Sequence, residues 1–186
     1  LDFLQLKQAD LLGMSLGGLL ASRAAAFEPR IKKVIAYDIM YAMMDAMTMN
    51  AGKLQKFALD HLQSPVVARL LNAVLPHMAS KDVDLAFKLH QATDLTGLHN
   101  PVDLLREISR YDLTGTLKDV KQEVLLLAGT DDQYVPYKRL SQLESELVRV
   151  KSLKSVTFDA STGADQHCQI GNRQLAINEF ATFLNA

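Results

Sequence analysis

The chain has 186 residues, 48% hydrophobic and 22% charged, with a formal net charge of -1. That is enough for one domain with a buried core, and so balanced a charge gives no electrostatic reason to expect nucleic acid or an anionic membrane as a partner. A single cysteine, Cys168, excludes an internal disulfide framework and fits a cytoplasmic location, and no apolar run approaches the roughly 18 residues that a membrane span needs.

In chain order, Leu1–Gln8 reads as the end of a helix and Ala9–Met14 as a short buried strand. Leu16–Phe27 reads as a helix packed closely through Gly17, Gly18, Ala21 and Ala24, ended by Glu28-Pro29-Arg30. Ile31–Asp38 holds a second strand, and "VLLLAG", Val124–Gly129, a third. Pro136 suits a first helical turn, and Leu140, Leu143, Leu147 and Val150 follow at helical spacing. "SVTFDA", Ser155–Ala160, is a fourth strand, and a last helix runs from about Asn172 to Leu184. Strand and helix in alternation predict a parallel sheet with helices on both faces.

Between Asp38 and Val124 the rhythm breaks. No strand pattern occurs there, and apolar residues recur at helical spacing: Leu54, Phe57, Ala58 and Leu62, then Val67, Leu70, Leu71, Val74 and Leu75, then Val83 to Leu89. Connections in α/β units usually take a few residues. The segment therefore reads as a helical insertion over one end of the sheet, the alternative being one long sheet-packing helix with irregular chain.

The chemistry gathers in three places. Gly13-Met14-Ser15-Leu16-Gly17 is a G-x-S-x-G pattern between a strand and a helix. Such a turn holds the serine in a strained backbone, with Gly13 and Gly17 removing Cβ atoms that would clash. The Leu16 N–H, at the helix N-terminus, then stands where an oxyanion would form. A serine nucleophile needs a base, and the base an orienting carboxylate. "AGTDDQYVP" places Asp131 and Asp132 just after the third strand, and "GADQHCQIGN" places His167 after the fourth. All three groups fall at the carboxyl ends of parallel strands, where open α/β sheets carry their sites.

In this order the "GMSLGG", "GTDDQYVP" and "HCQIGN" motifs resemble those of the α/β-hydrolase superfamily, in its C-terminal part, and the resemblance covers essentially the whole chain. Within it, the chain is similar to the dipeptidyl aminopeptidase and acylaminoacyl-peptidase-like group, and to 2,6-dihydroxypseudooxynicotine hydrolase-like serine hydrolases, whose G-x-x-x-H-C loop carries the histidine. The resemblance implies a core at 1–38 and 119–186, a helical cap insertion at 39–118, and a serine hydrolase that cleaves an ester, an amide or a C–C bond beside a carbonyl. Ser15 is then the nucleophile, His167 the base and Asp132 the acid, since D-x-x-V-P fits Asp132 to Pro136 and leaves Asp131 as a turn residue or helix cap. Some members carry the acid where Asp38 stands, but Asp38 reads here as a strand-end residue at the pocket rim, contacting substrate with Met14. Met43 and Met44, in a methionine-rich stretch, read as an adaptable pocket wall or as plain helix packing. Cys168 reads as a small packing residue. His61, His77, His90 and His99 have no metal-ligand spacing, and no metal or cofactor is expected.

The expected substrate is a small-molecule or short peptide acyl compound, and a homodimer is a further expectation. The other reading is a non-catalytic binding or assembly module, since a fold does not fix a function. In this superfamily the elbow strand lies mid-sheet, and here only Leu1–Gln8 precede it. The chain is therefore expected to be a fragment that requires an N-terminal portion of about 100 residues or more, which would complete the sheet and supply a second oxyanion donor.

Overall fold

The computed structural model describes residues 1–49 and 51–186. Its contacts divide the chain into two compact units, Leu1–Met49 with Asp112–Ala186, and Asn50–Tyr111.

The first unit is a four-stranded sheet, entirely parallel, in the order β1 (Ala9–Met14), β2 (Ile31–Tyr37), β3 (Glu123–Gly129), β4 (Ser152–Phe158). Val34, Ile35, Leu125, Leu126 and Leu127 are at most 1% exposed. An unbroken apolar run is what a strand covered on both faces requires. On one face, Ile35, Tyr37, Leu125 and Leu127 pack with Phe158, Ala164, and Ala176 and Phe183 of the C-terminal helix α8 (Arg173–Asn185). The alternate residues face the other way. There, helix α1 (Leu16–Phe27) packs against β1 and β2, burying Gly18, Leu19, Ala21, Ser22 and Ala25.

Several elements depart from the sequence expectation. Leu1–Gln8 forms turns rather than a helix end: Leu6 N–H bonds Leu1 O, and Gln5 takes a left-handed φ of 53°. Among the described residues β1 is a sheet edge, bonded to β2 alone, and Leu12 and Met14 are about half exposed, so it is not a buried strand. β4 starts three residues earlier than its alternation suggests, because Ser152 already pairs with Glu123. It stops at Phe158, whose carbonyl accepts the Thr130 N–H. Helix α7 (Arg139–Glu146) is shorter than its leucine spacing implies.

Helix α2 (Met43–Thr48) belongs to the first unit. The second unit is all helical: α3 (Lys53–Asp60), α4 (Pro65–Ala79), α5 (Val83–Thr96) and α6 (Pro101–Ile108). Local signals set their ends. Asp82 caps α5 by accepting the Asp84 and Leu85 N–H groups, and α5 ends at Gly97 with φ 72°. Asn100 caps α6 in the same way, and Pro101 sits at its first position. The Arg106 guanidinium donates to Leu62 O, and Asn72 Oδ1 accepts the Val102 N–H. Leu62, Val102, Leu104 and Leu105 are buried, whereas Leu54 and Leu70, which share the helical apolar spacing, are 80% and 62% exposed. Among the described residues no helix is long and apolar enough to cross a membrane.

The turn into α1 is tighter at one glycine than the sequence suggests. A Cβ on Gly13 would lie 1.8 Å from the Gly17 carbonyl oxygen, whereas one on Gly17 would meet nothing within 4 Å. Gly17 is therefore not needed for clearance. Gly13→Ala should destabilise the protein by an overpacking cost of about 1–3 kcal/mol or more, while Gly17→Ala should stabilise α1 by about 0.5–1 kcal/mol. Urea denaturation midpoints of the two variants check both signs.

Candidate active site

Each of the four strands delivers one polar group at its carboxyl end: Ser15 after β1, Asp38 after β2, Asp132 after β3 and His167 after β4. Ser15 sits at φ 57°, ψ -122°, a backbone that a non-glycine residue adopts only when held. It is pinned by its N–H donating to Tyr37 O at 2.7 Å and by its carbonyl accepting the Gly18 N–H. Leu16 opens α1, where backbone N–H groups have no partner within the helix.

His167 bridges the strands. Its Nε2 is 2.9 Å from Ser15 Oγ, and its Nδ1 is 2.8 Å from Asp132 Oδ2. With Nδ1 protonated and donating to the carboxylate, Nε2 is left to accept the Ser15 hydroxyl proton. The other Asp132 oxygen, Oδ1, accepts the Tyr134 and Val135 N–H groups at 2.7 and 2.9 Å, which fixes the carboxylate in its turn. The histidine loop lies close enough for this because β3 ends in glycine: a Cβ on Gly129 would be 2.2 Å from Asp165 O. Asp131 N–H donates to that same oxygen.

Asp38 does not lie at a rim. It is fully buried, and its Oδ2 is 3.0 Å from His167 Nδ1. The same oxygen accepts the Cys168 N–H at 2.6 Å, and Oδ1 accepts from Gln169 Nε2 at 3.2 Å. The physical reason is the parallel register. Met14 pairs with Tyr37, so the residue after β2 falls beside the elbow and under the histidine loop. Sequence reasoning also missed Tyr37, whose hydroxyl donates to Cys168 O at 2.5 Å, and the fully buried Gln169. An aromatic hydroxyl and a carboxylate side by side just after the apolar run Val34–Ala36 were the available signal.

Burial is the strongest single influence on His167 and opposes its charge, but the Asp132 hydrogen bond and the fields of Asp38 and Asp132 together outweigh it. The imidazole pKa is raised from its ordinary value. The Asp38 carboxyl is also raised, by burial first, with His167 pulling it down and Asp132 pushing it up. The Cys168 thiol is pushed up to about 12, by burial and then by Asp38. Asp38, His167 and Cys168 offer three ligand atoms within 4.8 Å of one another, but a thiol this hard to ionise is a poor metal ligand.

Of the other expected site residues, Met14 adjoins Ser15 on the exposed part of β1, and Met43 and Met44 open α2, half-buried. The hydrogen-bonded relay involves none of the three. A cavity of about 780 Å³ lies at the other end of the sheet, lined by residues such as Ile31, Lys121 and Glu123, and holds no relay group.

Because Tyr37 fastens the histidine loop, Tyr37→Phe should cost about 1 kcal/mol of stability. It should also lengthen the His167–Ser15 contact. Chemical denaturation and a crystal structure of the variant check the two effects.

No protein-family model matches the chain. Hydrolase ORFZ of Pyricularia oryzae is 25% identical over 186 aligned residues, covering 93% of this chain and 41% of that protein. The 20-hydroxy-prefusarin hydrolase FUS2 of Gibberella moniliformis is 27% identical over 133 residues, 70% of this chain and 31% of that protein. The chain thus spans well under half the length of these curated relatives. Among solved structures, MGS-M2, an alpha/beta hydrolase enzyme from a Medee basin deep-sea metagenome library, superposes with a TM-score of 0.56 at 17% identity, covering 100% of this chain and 68% of that one. The 2,6-dihydroxy-pseudo-oxynicotine hydrolase gives a TM-score of 0.53 at 20% identity, covering 88% and 36%. The parallel sheet and these likenesses agree on one fold: this chain has the fold of the α/β-hydrolases.

Proposed function

We propose that the chain carries the reaction centre of a serine hydrolase acting on a small-molecule or short peptide acyl compound. The observation that carries this reading is the unbroken relay from Ser15 Oγ through His167 to Asp132, built on a strained elbow. Ser15 Oγ attacks the substrate carbonyl carbon as His167 Nε2 takes the hydroxyl proton. Asp132 keeps the other ring nitrogen protonated and steadies the imidazolium. The Leu16 N–H, with the N-terminal end of α1 behind it, stabilises the oxyanion. Collapse expels the leaving group, which receives the proton from His167. Water then releases the acyl group from Ser15 by the same steps.

The relatives' names favour hydrolysis. The chain's likeness to the enol-lactonase from Burkholderia xenovorans LB400, TM-score 0.52 at 19% identity, makes an ester a sensible first substrate to test, ahead of an amide or a C–C bond beside a carbonyl. Met14 beside the nucleophile and the half-buried Met43 and Met44 suit an apolar acyl group, because methionine adapts to irregular shapes.

A fluorophosphonate probe should label Ser15 in the wild-type protein and fail to label Ser15→Ala; equal labelling of the two would end this reading. Ser15→Ala and His167→Ala should each lower kcat by several orders of magnitude, and the double variant should be little worse than either. Additive losses would mean that the two residues do not act as a unit.

The pH profile follows from the raised imidazole. Turnover needs neutral His167 in the free enzyme, and a raised pKa keeps the ring charged to a higher pH. kcat/KM should therefore rise through an apparent pKa above the ordinary histidine value of about 6.5. Ester hydrolysis followed from pH 5 to 9 measures it.

A further inference from the structure

The site holds one carboxylate more than a serine–histidine–acid relay uses. Asp38 Oδ2 and Asp132 Oδ2 lie 3.0 and 2.8 Å from the same atom, His167 Nδ1. They arrive from different strands, and both side chains are almost wholly buried, at 1% and 2% exposure. Nδ1 carries one proton in the state that leaves Nε2 free, and that proton has two acceptors. Each carboxylate is also held independently. Asp132 is fixed by two backbone N–H groups of its own turn, and Asp38 by the Cys168 N–H and the Gln169 side chain.

We propose that Asp38 is a second acid of the relay, a positioning residue that shares the His167 Nδ1–H with Asp132, so that either carboxylate alone holds the imidazole in its working tautomer. The proton stays on Nδ1 throughout, and no bond other than hydrogen bonds changes at Asp38.

The surroundings agree with this. The titratable and charged groups about the imidazole are Asp38 beyond β2, Asp132 beyond β3, Cys168 in its own loop, and the Tyr134 ring at 5.0 Å. Tyr37 reaches the Cys168 carbonyl, and Arg173 of α8 acts on Tyr37 and Cys168. Two carboxylates thus face the ring directly, and no cation is paired with either of them among the ion pairs of the described residues. Gln169 reinforces the arrangement. It is fully buried at φ 44°, spends its Nε2 on Asp38, and leaves its Oε1 without a partner. A buried amide with one orphaned oxygen is tolerated where its other end has a fixed task.

This inference rests on the hydrolase reading for its meaning, but its test does not need turnover. Nitrogen-15 NMR of His167 reads tautomer and pKa directly. Asp132→Asn keeps an oxygen for the Tyr134 and Val135 N–H groups and leaves Asp38 untouched. In that variant His167 should remain protonated at Nδ1 with its pKa still above the ordinary value. Asp38→Asn should lower the His167 pKa and move the acid limb of kcat/KM to lower pH, which a merely structural role for Asp38 would not do. In turnover, each single variant should stay within about 100-fold of wild type, and the double variant should fall by about 10⁴-fold, the loss seen when a lone relay acid is neutralised. The proposal is overturned if Asp132→Asn alone shifts His167 to the Nε2–H tautomer and loses about 10⁴-fold, or if Asp38→Asn leaves the His167 titration unchanged. Ser15 that resists the fluorophosphonate probe while the NMR results hold would remove the hydrolase reading and leave the shared proton standing. Labelled Ser15 with a lost tautomer in Asp132→Asn would do the reverse.

Discussion

Everything at this site depends on the sheet being parallel. Four parallel strands in sequential order bring four strand ends to one edge, and each end carries a group that the relay touches: Ser15, Asp38, Asp132 and His167. An antiparallel arrangement would send alternate ends to opposite sides. The register sharpens the effect. Met14 pairs with Tyr37, Tyr37 with Leu127 and Leu127 with Val156, so the strands leave the sheet at nearly the same level. Parallel pairing brings its own requirement, because each return to the start of the next strand needs a crossover. The crossover from β1 to β2 is α1, whose first residue is Leu16, so one helix both covers the sheet and offers its N-terminal N–H groups to the serine. The core and the cluster of polar groups at the strand ends are two results of one topology.

The electrostatics follow from where these ends lie. Buried carboxylates need compensation, and here it comes from N–H dipoles rather than cations. Asp132 accepts two backbone N–H groups, and Asp38 accepts one backbone N–H and one amide. An arginine in their place would neutralise the field that lets His167 hold a proton. A two-pronged, partly buried ion pair stands elsewhere, between Arg139 of α7 and Asp45 of α2, where it joins two helices. The two carboxylates beside the imidazole are thus compensated by dipoles, and the Arg139 cation is held away from them.

What the sequence revealed divides along the same lines. Apolar runs ended by glycine or a charge marked β2 and β3 closely, because buried parallel strands are apolar on both faces, and β1 was marked by the apolar residues leading into the serine turn. The serine turn and the order serine, aspartate, histidine were legible, because loops after strands must carry polar groups in chain order. Edges were harder. β4 begins at Ser152 through pairing with β3, and three polar or mixed residues gave no local sign of it. In the second unit the spacing of Leu54 and Leu70 was helical, but spacing does not say which face is covered. Asp38 was visible as a residue and not as a partner. A contact between positions 38 and 167 is made by register and by loop closure, neither of which is written in a local pattern.

The backbone strain points to the same four strand ends. Among the described residues, five non-glycine positions have positive φ: Gln5, Ser15, Asp38, Cys168 and Gln169. All but Gln5 belong to the relay or its support. Each such position costs roughly 1–2 kcal/mol relative to a relaxed backbone, and glycine would remove the cost. Glycine would also remove what each position supplies: the Ser15 hydroxyl, the Asp38 carboxylate and the Gln169 amide. The strain is offset locally, by Ser15 N–H on Tyr37 O, Cys168 N–H on Asp38, and Gln169 N–H on Gln166 O. Two of those three bonds tie one strand end to another. The hydrogen bonds that hold the strained residues in place are therefore the ones that set the distances across the site, so loosening the strain at any one of them would also move the groups that share the histidine.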